Sequence, residues 1–512
     1  MESVKLNNKN KIVPIYIIYA ILTLLCVYIS FANLDHEPIQ HWDEARHGVN
    51  AYEMLKQGNL IVNTYNYEND YYNLKPPLSY WGIMIGFKLF GTNVFGLRFF
   101  SGLSMLLTFL LIGVYMHRKE GKVAAVSSML FFLNLKDMFF FHGGRNADAD
   151  AMYILLFTIG CLSLIESKNN IRYLYLCGFI FSLCFLTKSW HACILLPIGG
   201  LFVLFSGLMK EMKVKDYLYL ITITLLPILL WIVIRYSYDG MNFLGQMFGV
   251  DVAERVSWPV SANEDGLFYI KYIAGTKGGR ILLISIFFSI FCLCSNLWIQ
   301  KKVEKRLFFK SKVLVTLLWI FVTLFTFSVT RADNYWYIYP LYPGMCVAAG
   351  MLLQKSFDIV SKAGKANFMM VIFGTGMLAM FFLAVDTAYG VKEYPISNFQ
   401  KDVQRVLEAH PELHGLKIYV EKSNNEYKNS FYWEQAGILM AELSGDMKCE
   451  EGGVEAYLRE EEALLVVDYN YYEKYREELK GFQVLYRNEY IVLKNYNYSE
   501  LSKFVENYDE SD

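Results

Sequence analysis

The chain is predicted to be a mainly α-helical, polytopic membrane protein with a small α/β domain at its C-terminal end. Three observations predict this. Of 512 residues, 54% are hydrophobic and only 19% charged, with a mean hydropathy of +0.26; a soluble chain of this length needs more charge to cover its surface. The apolar residues fall in blocks of roughly 17–24, the length a helix needs to cross a hydrocarbon core of about 30 Å. The charge is also divided. Residues 390–512 carry 14 Lys and Arg against 25 Asp and Glu, a net of −11, which leaves +10 on the rest.

The blocks lie at about 12–33, 94–116, 123–141, 151–165, 173–187, 190–209, 216–235, 280–299, 313–329, 336–354 and 366–386. That makes about eleven spans, within a range of ten to thirteen. The first stretch, Ile12 to Ala32, is too long for a signal-peptide core and is read as a retained span. Alternate connections are short and basic: Lys5, Lys9 and Lys11; Arg118, Lys119 and Lys122; Lys168 and Arg172; Lys210, Lys213 and Lys215; the Lys301–Lys312 loop; and Lys355, Lys362 and Lys365. By the positive-inside rule these are cytoplasmic, in a multi-pass protein of the cell membrane with a cytoplasmic N-terminus. Segments 34–93, 142–150, 187–190, 236–279, 330–335 and everything after 387 are then external. The expected domains are a transmembrane part, 1–386, and an external α/β part, 387–512.

In that tail, LKIYVEK (416–422) and ALLVVDY (463–469) read as strands, 430–443 and 471–480 as helices, and 482–494 as a hairpin. Eight of nine cysteines sit in apolar runs as small hydrophobes, and Cys449 alone lies in a polar segment. The chain has no nucleotide-binding glycine fingerprint, no P-loop, no fixed-period repeat and no low-complexity tract. No nucleic-acid partner is expected.

Chemistry-bearing residues gather on the external side. From Trp42, a helical pattern places Asp43 and His47 on one face, with Asp43 and Glu44 at its start. The structural alternative is an N-cap carboxylate with a solvated neighbour. In HGGRNADADAMYILL, Asp148 and Asp150 immediately precede an apolar helix, where carboxylates must face water, a cation or a partner. The alternative is again a helix cap marking the membrane boundary. The functional reading has them line one external cavity with Asp43, where a carboxylate takes a proton from an acceptor hydroxyl or amine. Lys75 in NLKPPLSYW is held by Pro76 and Pro77 where a lipid phosphate would lie. Tyr80, Trp81, Phe87 and Phe90 suit the interfacial aromatic belt. Lys188, Arg255 and Arg331 add cations on the same side, each alternatively a snorkelling or paired residue. His36, His41 and His47 near Asp43 and Glu44 match no compact metal motif. No cofactor is therefore assigned, and a divalent metal stays a minor option.

WDEARHGVNAYEMLKQGNLIV followed by NLKPPLSYWGIMIGFKLFG resembles the signature of the GT-C polyprenyl-phosphate glycosyltransferases, in particular the ArnT-like and protein O-mannosyltransferase-related group. RNADADAMYILLFT, FLTKSWHACILLP and YWYIYPLYPGMCVAAG match further segments, so the resemblance covers roughly 35–355. It implies a catalytic role for Asp43, with Arg46 following in the motif, and donor-phosphate binding by Lys75. It makes Asp150 the second essential acid, with Asp148 an extra candidate, and places Lys188, Arg255 and Tyr337 along the donor cavity. The aminoarabinose transferases usually carry an aromatic where this chain has His47, and an acid where it has Leu74. Aminoarabinose and lipid A are therefore not implied as substrates.

The expected reaction is inverting transfer of a hexose or pentose from a polyprenyl phosphate of the undecaprenyl type to a lipid, glycan or protein acceptor at the outer face. Asp43 is the base, with Glu44 and Asp150 as further catalytic candidates; Lys75, Arg255, Lys188 and Arg46 bind phosphate; His47, Asp148, Tyr337 and Arg331 line the cavity. A flippase or transporter predicts inverted repeats and charges near mid-membrane, and neither is seen. A non-enzymatic scaffold leaves the Asp43, Lys75 and Asp150 constellation without a purpose.

Overall fold

The structure is a computed structural model that describes residues 13–40, 42–250, 265–300, 311–330, 334–361, 366–392, 398–421, 433–450, 452–487 and 490–495. The chain divides into two compact units. One comprises Met1–Ala32, Leu74–Ser79 and Phe99–Lys392; the other comprises Asn33–Asn73, Tyr80–Arg98 and Glu393–Asp512.

The first unit is helical, and each of the eleven apolar blocks holds helix. Six helical stretches among the described residues are long and apolar enough to span a bilayer. They are Val94–Lys119, Asp150–Ser167, Arg172–Phe205, Val214–Asp239, Ser311–Val329 and Met370–Tyr389. Phe268–Gly275 and Lys277–Phe291, bent by 97°, make a seventh if taken as one span. Ile15–Phe31, Leu78–Phe90 and Lys122–Leu133 are shorter apolar helices. Four differences separate this count from the expected eleven among the described residues. Block 12–33 holds only the shorter Ile15–Phe31, and block 336–354 holds Leu341–Val360, which is not among the qualifying helices. The other two lie at 173–209 and 123–141. Blocks 173–187 and 190–209 join through a 3-10 stretch, Ser189–Ile194. Block 123–141 breaks at Asn134, whose side-chain amide donates to Leu130 O (2.8 Å) and Met380 O (3.0 Å).

Helix environments differ sharply. Lys122–Leu133 is buried from Ala124 to Leu133. Its Ser128 hydroxyl donates to Cys346 O at 2.9 Å, and a Cβ on Gly350 would strike that hydroxyl. Trp319, fully buried, donates its indole N–H to Pro340 O at 2.7 Å. In contrast, Val214–Asp239 exposes Leu218, Ile221, Leu225, Leu229 and Val233. A helix that shows leucine and isoleucine outward over so many turns is solvated by lipid.

In the second unit the tail forms a five-stranded sheet: β3 (Lys417–Glu421), β4 (Lys448–Glu450), β5 (Ala463–Asp468), β6 (Gln483–Arg487) and β7 (Tyr490–Lys494). A two-stranded hairpin, β1 (Thr64–Tyr65) and β2 (Glu68–Asn69), precedes it. The order is β4-β3-β5-β7-β6, with β3 parallel to both neighbours and β7 antiparallel to both. Tyr419, Tyr457, Leu465, Val467, Leu479, Ile491 and Leu493 form its core. Both expected strands and the expected hairpin are present. The expected helices lie at Ile438–Gly445 and Tyr469–Lys474, while β4 and the helices Asn398–Ala409 and Gly453–Tyr457 were not anticipated. Within this unit the Gln400 side chain accepts from Ile39 N (3.0 Å) and donates to Ile39 O (3.1 Å).

Candidate functional site

In the second unit, helix Asp43–Gln57 starts without a side-chain cap: its N-cap is Trp42, at φ +62°. The capping role considered for Asp43 is therefore not how this helix begins. It ends at Gly58, whose left-handed φ of +66° lets its N–H close on Leu55 O and Met54 O. Glu44 is 1% exposed and takes Arg98 at 2.6 and 2.9 Å, while its Oε2 also accepts from Gln40 N at 2.7 Å. Arg98, fully buried, further donates to Leu34 O, Glu37 O and Pro38 O, each at 2.9 Å. This geometry gives Glu44 a structural task, contrary to its expected place among catalytic acids.

Arg46 forms a two-pronged pair with Asp70 (2.9 and 2.8 Å), lying 4.1 Å from the Tyr65 ring centre and 4.6 Å from that of Tyr72. Burial raises the Asp70 pKa, but the Arg46 hydrogen bonds and charge, with Asn50 and the Tyr72 amide, hold it below the usual carboxylate value. Arg46 thus staples its helix to the loop 59–73. His47 is fully buried, with Nδ1 at 2.7 Å from Asp43 O and its ring 5.2 Å from that of Tyr80. Tyr80 and Phe87 are buried at 1% and 3%, so they pack inward and are not the interfacial belt expected of them. Trp81 donates its indole N–H to Leu60 O at 2.7 Å, and Phe90 is exposed.

The first unit brings together four expected residues. Asp150 opens helix Asp150–Ser167, but the N-cap position is Ala149, with no side-chain cap. Asp150 instead pairs with Lys188, the last residue of helix Arg172–Lys188; both side chains are about 95% buried. Lys188 Nζ stands 5.3 Å from the Tyr337 ring centre, and His191 meets the same ring edge-on at 4.8 Å. Asp148 bonds His142 Nδ1 at 2.6 Å, and the His142 ring stacks on Trp336 at 3.9 Å and 13°. Trp336 meets Tyr337 at 6.0 Å, which links the two carboxylates through aromatic rings.

Lys75 belongs to the same unit. It is half-buried beside buried Pro76 and Pro77, and helix Leu78–Phe90 starts immediately after them. His142 and Trp336 were not singled out from the sequence. The signal was present, since His142 sits six residues before Asp148 and Trp336 directly precedes Tyr337. Arg145 was also missed. It is fully buried and donates to Ile29 O (2.8 Å) and Ala32 O (2.9 Å), satisfying the end of the first helix. Arg255, Arg331 and His41 lie outside the described residues. His36 lies 3.9 Å from Asp35, and neither His36 nor His47 joins a metal-type cluster among the described residues.

Comparison with known proteins places this geometry in context. Residues 74–234 match the family model described as dolichyl-phosphate-mannose-protein mannosyltransferase. An uncharacterized protein of Aquifex aeolicus (strain VF5) is 27% identical over 344 residues, covering 65% of this chain and 64% of that one. A second from the same organism is 28% identical over 318 residues, covering 62% of this chain and 68% of that one. The chain thus spans about two thirds of these relatives' lengths. The undecaprenyl phosphate-alpha-4-amino-4-deoxy-L-arabinose arabinosyl transferase of Pseudomonas savastanoi is 43% identical over 75 residues, 14% of each chain. The crystal structure of ArnT from Cupriavidus metallidurans bound to undecaprenyl phosphate superposes with a TM-score of 0.65 at 14% identity. That match covers 93% of this chain and 98% of the other, and it is a likeness of fold. With the polytopic helical bundle and the small α/β tail, these matches support a GT-C family of ArnT-like, protein mannosyltransferase-related membrane proteins, to which the chain is similar.

Proposed function

We propose that this protein is a membrane glycosyltransferase that moves a sugar from a polyprenyl-phosphate donor to an acceptor at the outer face of the cell membrane, with inversion at the sugar carbon. The observation that carries the reading is the Asp150–Lys188–Tyr337 cluster. A buried ion pair is a costly structural device, but a lysine held by an acid and an aromatic ring is a ready site for an anionic leaving group. Support comes from the fold of a relative whose structure holds undecaprenyl phosphate.

In this reading Asp43 takes the proton from the acceptor nucleophile. The nucleophile then attacks the sugar carbon as the bond to the donor phosphate oxygen breaks. Lys75 and Arg255, with Lys188, stabilise the departing lipid phosphate. Glu44 and Arg46 hold the helix that carries Asp43, and Asp148 holds His142. The basic loops support a cytoplasmic N-terminus and an external tail from residue 387. Nucleotide sugars are cytosolic, so an outer-face enzyme draws on a lipid carrier.

The test is sugar transfer from a synthetic polyprenyl-phosphate donor by purified protein. Asp43→Asn preserves shape but cannot accept a proton as a carboxylate does, so the rate falls by roughly 10²–10⁴-fold while donor binding survives. Near-normal transfer by that variant at saturating donor removes Asp43 from the chemistry. Donor movement across vesicles without sugar release replaces the transferase reading with a flippase.

A further inference from the structure

Two carboxyl groups in the second unit have no part in the proposed chemistry. Glu53, in the middle of helix Asp43–Gln57, is 0% exposed; Glu442, on helix Ile438–Gly445, is 2% exposed. One turn before Glu53 the two helices pack closely, since a Cβ on Gly48 would overlap the Leu439 side chain. Among the described groups, Glu53 faces the Thr64 hydroxyl, the turn amides of Asn66 and Tyr67, and the Glu442 carboxyl. Asn66 and Tyr67 both take left-handed φ, +57° and +66°, at the tip of the β1–β2 hairpin. Glu442 faces Glu53 and, at longer range, Asp446.

The nearby lysine is already engaged. Lys56 donates to Asp446 at 2.5 Å, and the Tyr52 hydroxyl also donates to Asp446, which His414 faces as well. Tyr67 faces both glutamates. Two bare carboxylates at this depth repel each other and are heavily penalised, so one must keep a proton. Both Glu53 oxygens and Glu442 Oε2 are buried with no hydrogen-bond partner among the described residues. The polar groups facing Glu53 incline it to be the anion of the two, with the proton on Glu442.

We infer that Glu53 and Glu442 share one proton and form a pH-sensitive lock between helix Asp43–Gln57 and the tail helix Ile438–Gly445. Burial, and for Glu442 also the adjacent Glu53 charge, raises both groups above the ordinary glutamate value. For an acid raised on folding, the stabilisation is complete below its unfolded value and is lost as pH rises towards the folded one. The lock therefore loosens with rising pH. It stands independently of the transferase reading, and its link to that reading is that the same helix begins at Asp43.

The test is hydrogen exchange of the full-length protein in lipid nanodiscs from about pH 5 to pH 8, corrected for intrinsic exchange. Amides of 48–54 and 439–445 are read. In the wild type their opening should increase by up to about tenfold per pH unit above the glutamate range, the slope of one proton. Glu442→Gln keeps an N–H for Glu53 and has no proton to lose, so the slope should vanish and neutral-pH protection should equal or exceed wild type. A flat wild-type profile, or an unchanged slope in Glu442→Gln, overturns the lock. Should that variant not fold, Glu53→Gln carries the test: without the anion the slope should shrink, and an unchanged slope overturns the inference. Asp446, held low by Lys56 and Tyr52 against its burial, titrates below this window. His414→Gln should retain the wild-type slope; a slope that disappears with His414 also overturns the lock.

Discussion

Two sets of charged residues, Asp43–His47 in the second unit and Asp148, Asp150 and Lys188 in the first, use their charge in opposite ways. In the former, Glu44 meets Arg98, Arg46 meets Asp70, and His47 turns its Nδ1 to its own helix backbone. Arg98 also caps three carbonyls of the chain leading into that helix. These contacts close a loop around one helix. In the latter, Asp150 and Lys188 sit at the ends of two apolar helices; Lys188 lies beside Tyr337, which His191 and Trp336 contact, and His142 stacks on Trp336. The side chain of Asp150 makes no cap bond at the start of its own helix. A buried pair that also satisfies backbone carbonyls is a structural device; one framed by aromatic rings is suited to hold a ligand.

Substitution separates the two. Arg98→Met leaves Glu44 buried without its cation and three carbonyls without donors, so the fold should lose about 3–5 kcal/mol in a denaturant titration. Adding Glu44→Leu should recover only part of this, because the carbonyls of Leu34, Glu37 and Pro38 remain unmet. The double variant Asp150→Leu/Lys188→Met should instead recover stability almost fully while sugar transfer falls by roughly 10²-fold or more, a loss of transition-state stabilisation. Equal loss of stability and of activity in both doubles would erase the distinction.

A smaller effect sharpens the structural side. Arg46→Lys keeps the charge but loses the two-pronged bond to Asp70 and the stacking on Tyr65 and Tyr72, at a cost of about 1–2 kcal/mol. Because Asp70 is held below its usual value of 3.8, the stability it contributes is present above that value and lost as pH falls below it. Acid unfolding of the variant should therefore begin at higher pH than in the wild type. The smallest effect is expected at Lys56→Met, whose pair with Asp446 is about half exposed on both sides; about 0.2–1 kcal/mol is the usual range for such a bridge. A loss of several kcal/mol there would mean that Lys56 also supports the Glu53–Glu442 pair.

The long apolar elements were legible because they need no partner to declare themselves: leucine and isoleucine runs such as 216–235 answer to lipid. The tail strands were legible because ALLVVD is compatible with a fully buried strand. β4 was not, since three residues carry no readable period. Asp43 and Glu44 shared one signal, yet Glu44 went to Arg98, a residue 54 positions away whose motif gave no warning. Tyr80 and Phe87 looked interfacial because they follow the Lys-Pro-Pro step, and their burial depends on neighbours the local pattern does not name.

By itself, then, the sequence determined the class: a lipid-solvated helical bundle, the α/β tail, and the stretches where its carboxylates and cations concentrate. Hydropathy and periodicity are properties of a segment alone, and solvent reads them directly. Which carboxylate meets which cation was decided only by tertiary structure. Asp150 with Lys188, Asp148 with His142 and Glu53 with Glu442 lie 38, 6 and 389 positions apart. A buried charge is stabilised only by a partner within a few ångströms, and for the distant pairs that distance is set by how helices and strands far apart in the chain pack together.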